Sequence, residues 1–83
     1  MDERTLTVRV HDEGERGMWA GVLELPGCFA SGYEWEELNE SLTEALNLYL
    51  SGHVNWIKIK EWSPQHVPAG GVEWCRVRAL INT

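Results

Sequence analysis

Little in this chain of 83 residues is of the kind that catalysis uses. Its two cysteines, Cys28 and Cys75, are too few and too far apart for a disulfide scaffold or a cysteine-rich zinc site. Its three histidines, His11, His53 and His66, are scattered, so no metal-ligating spacing arises. Neither G-x-x-x-x-G-K-[ST] nor G-x-G-x-x-G occurs, which removes the usual phosphate-cradling loops. The longest apolar stretch is a few residues. No transmembrane helix fits it, and no signal-peptide pattern opens the chain, so a reducing, cytoplasmic setting is expected. Basic residues are scarce, seven Lys and Arg against thirteen Asp and Glu, for a net charge of −6. That balance disfavours unaided binding to phosphate backbones. The length fits one small domain, residues 1–83, with a thin core.

What the chain does have is a clear change of period. Leu6, Val8 and Val10 alternate with Thr5, Thr7 and Arg9, the mark of a half-buried strand. A polar stretch with two glycines, 11–17, reads as a hairpin turn, and Met18 to Leu25 as a second strand, apolar on both faces. Pro26-Gly27 breaks it, and extended chain resumes at Cys28-Phe29-Ala30. From Trp35 the period becomes helical. Trp35, Leu38, Leu42, Ala45, Leu46 and Tyr49 share one face, and Glu36, Glu37, Glu40, Ser41, Glu44 and Asn47 the other; Gly52 is the stop. Period two then returns. Trp56, Lys58, Lys60 and Trp62 alternate with Ile57, Ile59 and Glu61, the lysines serving as edge protection. Residues 63–71 read as a loop and 72–81 as a last strand. The expected class is α+β, a small antiparallel sheet with one helix on one face, in the order β-β-β-α-β-β.

Charge is uneven along this order. Residues 1–50 sum to −8 and residues 51–83 to +2, so the first half suits a basic partner or is an ordinary solvated surface. Five tryptophans in so short a chain, and a second strand apolar on both sides, point to a covered face and hence to a homodimer or higher oligomer. Bulk in a small core is the alternative for the tryptophans. The strand cysteines read as buried thiols; a Cys28–His pair stays open, although Cys28 lacks a basic neighbour. Two-metal nuclease chemistry needs carboxylates converging from the first strand, a helix and a later strand. The first strand, at 5–10, has none, and the helix acids face solvent.

One stretch is more particular. Trp19-Ala20-Gly21-Val22-Leu23-Glu24-Leu25-Pro26-Gly27-Cys28, then Ser31-Gly32, then Glu36-Glu37 and Glu44-Ala45-Leu46-Asn47-Leu48-Tyr49-Leu50, resembles the N-terminal domain of HicB antitoxins over residues 17–50. The resemblance makes Glu24, Leu25, Pro26, Gly27, Cys28 and Gly32 a structural motif. It implies a partial RNase H-like fold without nuclease activity, and a partner: a HicA-type toxin, small, basic and messenger-RNA-cleaving. No cofactor and no metal are expected, because the chain carries no motif for either. The chain departs from the pattern at Glu34, where a Thr or Ser helix cap is usual, and in residues 52–83, which show no second, DNA-binding module. Specific DNA binding and membrane association are therefore not expected. The residues expected to meet the partner are Trp19, Glu36, Glu37, Glu40 and Glu44, with binding, not catalysis, as the activity. The alternative is a solitary HicB-like oligomer that takes another protein or a small ligand.

Overall fold

The computed structural model describes residues 2–64 and 72–82. Five strands and one helix follow in the order β1 (Asp2–Asp12), β2 (Met18–Val22), β3 (Phe29–Gly32), α1 (Trp35–Tyr49), β4 (Trp56–Pro64) and β5 (Val72–Asn82), with a short 3-10 turn at Gly14–Arg16. The strands form one antiparallel sheet in the order β3-β2-β1-β5-β4. The expected α+β class and element order are those observed. Among the described residues, no helix is long and apolar enough to cross a membrane.

The sheet curls round α1. On its inner face Val8, Val10, Ala20, Val22, Cys75, Val77 and Ala79 meet the fully buried Leu38, Leu42 and Leu46. Each leucine so buried is worth about 1.5–3 kcal/mol. The helical period thus does what it promised at 38, 42 and 46. Trp35 and Tyr49 lie at the margin of that face: Trp35 is 46% exposed, its ring edge-on to Trp62 at 5.6 Å, and the Tyr49 hydroxyl donates to the Pro26 carbonyl at 2.8 Å.

Both sheet edges end against the helix. On β3 the Ser31 N–H donates to Ser41 Oγ at 3.1 Å. On β4 the Asn47 side chain takes both backbone groups of Ile57: Nδ2 donates to the carbonyl at 3.0 Å, and Oδ1 accepts from the N–H at 2.9 Å. An amide here replaces a missing neighbouring strand. The lysines of β4 are therefore not its sole edge protection, as the sequence suggested; Asn47 covers part of it.

Four expectations are corrected. β1 runs from 2 to 12, not 5 to 10, and so takes in Asp2, Glu3 and Asp12 at its ends. β2 ends at Val22, because Leu23 to Cys28 turn. The second apolar face expected of β2 shrinks accordingly to Trp19, next to Gly21. β4 continues through Ser63 to Pro64; the rest of the expected loop, residues 65–71 with His66, lies outside the described residues. Lastly, the alternation of β4 breaks at a bulge between Ile59 and Glu61. One extra residue reverses every side chain beyond it. Glu61 now sits opposite Arg78, and Trp62 turns toward α1, where its Nε1 donates to Asn39 Oδ1 at 2.7 Å.

Candidate functional site

The helix carries Glu36, Glu37, Glu40 and Glu44, all exposed, and no Lys, Arg or His in its fifteen residues. Glu36 and Glu37 stand in the first turn, where the helix dipole favours carboxylates. Glu34 occupies the cap position without a side-chain capping bond. Glu37 reaches past that position: its Oε1 accepts at 3.1 Å from the N–H of Tyr33, the residue before the cap, and so ties the helix start to the preceding chain. Three of the four carboxylates are thus available to a partner, and the fourth also holds the helix end. Beside them lie apolar surfaces that the sequence did not single out, Trp35 at 46% exposure and Leu48 at 78%. Helical periodicity placed Trp35 on the buried face. In the structure its ring stands half-exposed, edge-on to Trp62, which the bulge turns toward α1.

Trp19 is not part of this surface. Its strand position alternates with buried Met18 and Ala20, so it stands on the helix-free side of the sheet. There it stacks on His11, ring centroids 3.9 Å apart and planes 1° from parallel, and meets Phe29 edge-on at 6.2 Å. The five residues expected to meet the partner divide between opposite sides of the domain.

The Leu-Pro-Gly-Cys segment builds the turn from β2 to β3. The Cys28 N–H donates to the Leu25 carbonyl at 3.0 Å, and Gly27 adopts φ 88°. Proline followed by a residue at positive φ is the type II turn, and glycine meets the second requirement without strain. Glu24 fastens this turn to β1 by accepting from the Thr7 N–H at 2.8 Å. Burial pushes the Glu24 carboxyl up, but hydrogen bonds from Thr7 and its own backbone outweigh that and hold it below the usual carboxylate range.

Cys28 and Cys75 are free and buried. Burial raises the Cys28 thiol, and it pushes Cys75 up to about 11, with the negative charge of Glu73 adding to the effect. A thiol this protonated is a poor nucleophile. Cys75 is therefore expected to resist a disulfide-exchange reagent at pH 8 in the native protein and to react fully once the chain is unfolded. Because its folded value lies above the unfolded 9.0, its contribution to stability is complete below about pH 9 and is lost as pH rises toward 11. Rapid native labelling at Cys75 would contradict its placement. Among the described residues, no three His, Cys, Asp or Glu side chains gather as a metal site. A groove of about 430 Å³ opens beyond the C-terminal end of α1, with Leu6, Leu25, Leu50, Val54 and Ile81 on its walls and Arg4 among its polar lining residues.

Compared with protein families, curated proteins and solved structures, the chain matches none. The geometry of its surfaces carries the functional reading.

Proposed function

We propose that this chain is a protein-binding domain that neutralises a basic partner, as a HicB-type antitoxin does a HicA-type RNA-cleaving toxin. The observation that carries the reading is α1: exposed Glu36, Glu40 and Glu44 on a helix without a cation, next to the half-exposed ring of Trp35. Carboxylates on such a surface speed encounter with a cationic partner, while a partly buried aromatic anchor slows departure. The Leu-Pro-Gly-Cys turn, and a three-strand meander followed by a crossing helix, support the HicB-like and partial RNase H-like reading. Binding is then the whole activity. No catalytic group or cofactor is called for, and the cytoplasm, where messenger RNA is cleaved, is the setting. A solitary domain of this type with a small apolar ligand is the second reading, and the groove beside Leu50 and Val54 favours it.

The test is association kinetics with a small basic toxin of the HicA type, over a salt series. Glu37 is left intact because it ties the helix start to Tyr33. Glu36→Lys with Glu40→Lys is expected to slow association about tenfold at low salt, and less as salt rises. Trp35→Ala is expected to speed dissociation instead. Wild-type association by the double charge reversal at low salt, with the fold intact by circular dichroism, would remove the helix as the contact surface.

A further inference from the structure

The helix-free side of the sheet has a character opposite to the chain as a whole. Of the carboxylates among its described strand residues, Glu3 lies 2.7 Å and Glu61 4.0 Å from Arg78, so that guanidinium holds both. Arg9, Arg76 and Lys58 are exposed on the same side. The register sets Phe29, Gly21, Arg9 and Trp74 in one row across four neighbouring strands. Phe29 lies over Gly21, its Cε1 and Cδ1 3.2 and 3.3 Å from where a Cβ would stand. Any side chain at 21 would lift this ring. Trp19 braces it edge-on, and 61% of Phe29 remains exposed. At the other end of the row the Arg9 guanidinium lies over the Trp74 ring, 5.6 Å from its centroid.

We infer that this face binds single-stranded nucleic acid without sequence preference, with bases stacking on Phe29 and on the Arg9–Trp74 pair and phosphates meeting Arg9, Arg76 and Lys58. Cations tracking the backbone beside aromatic rings that receive bases are the two requirements of such a surface. An antiparallel sheet with its helix on the far side is one of the scaffolds that supply them. The net charge of −6 does not decide the matter. The glutamates of α1 are exposed on the opposite surface of the domain, with the buried core between them and this face. Charge also selects this occupant over a second copy packed face to face, which would bring like guanidinium groups together. The inference is independent of the toxin-binding reading, because it uses the opposite surface.

The experiment is fluorescence anisotropy of labelled oligouridylate and oligothymidylate with the intact protein, at several salt concentrations. Binding is expected at a Kd of roughly 10–100 µM in low salt, in the range of non-specific association. Three phosphate contacts predict a loss of about twentyfold between 50 and 200 mM salt. Phe29→Ala is expected to weaken binding about tenfold and Phe29→Tyr to restore it, since stacking needs only a ring. Arg9→Ala is expected to weaken binding and flatten the salt dependence. If both oligonucleotides bind, the shared base and phosphate chemistry suffices; if only one does, the face also reads the 2′-hydroxyl or the thymine methyl group by which the two differ. No binding to either at low salt overturns the inference. Binding that Phe29→Ala leaves unchanged also overturns it, because the strand then lies elsewhere. So does a wild-type dimer that Phe29→Ala converts to monomer in sedimentation, because a second copy then covers the face.

Discussion

Gly32→Ala is expected to destabilise the domain by about 3 kcal/mol, toward the upper end of overpacking effects. For a domain of this size that corresponds to a fall in Tm on the order of 15 °C. The reason is contact, not backbone conformation. Gly32 ends β3 where α1 begins, and a Cβ there would stand 2.7 Å from the Leu38 nitrogen and 2.8 Å from the Glu37 Cβ. Two of the three nearest atoms are helix backbone, which cannot swing aside as a long side chain does. The first turn of α1 would have to move, and with it the Glu37 bond to Tyr33 and the buried Leu38. Thermal unfolding of the single variant measures this directly. A melting point within two or three degrees of wild type would show that helix and strand do not approach so closely.

Asn47→Leu is expected to cost about 2–4 kcal/mol although it exchanges a polar residue for an apolar one. Asn47 closes the β4 edge at Ile57 from both sides and donates to the Thr43 carbonyl at 2.7 Å as well. Leucine fills the space but leaves the Ile57 N–H and carbonyl unpaired beside a side chain that is 3% exposed. Each buried group left without a partner costs about 1–3 kcal/mol. Asn39→Ala, which removes one bond to the Trp62 indole, is expected to cost about 1 kcal/mol. Asn47→Asp supplies a finer test. Its carboxylate still accepts from the Ile57 N–H but faces two carbonyl oxygens, and it becomes a donor only when protonated. That variant is expected to lose the most stability at neutral pH and to regain part of it as pH falls through the range of its carboxyl. Equal melting curves for wild type and Asn47→Leu would mean that water, not Asn47, satisfies Ile57.

The elements of this protein were legible in its sequence because their signals are local. The step from period two to period 3.6 at Trp35 located the helix to within a residue. Leu38, Leu42 and Leu46 were recognisable as its buried stripe, and Val8, Val10, Val77 and Ala79 as inward strand positions. Pro26-Gly27 announced a turn because the chain geometry of those two residues allows little else. The acidic surface of α1 was legible for the same reason: on a helix, spacing alone sets the side. What the tertiary structure decided is everything that depends on one element meeting another. Strand order came from it, since β5 pairs with β1 across some seventy residues of sequence. It moved Ser41 and Asn47 from a solvated helix face to the two sheet edges, because curling brings those edges to the helix. It separated Trp19 from the glutamates by placing α1 on the other side of the sheet. The single bulged residue at β4 turned Trp62 inward to meet Asn39 and the edge of Trp35, a reversal invisible to a period count that assumes unbroken pleating.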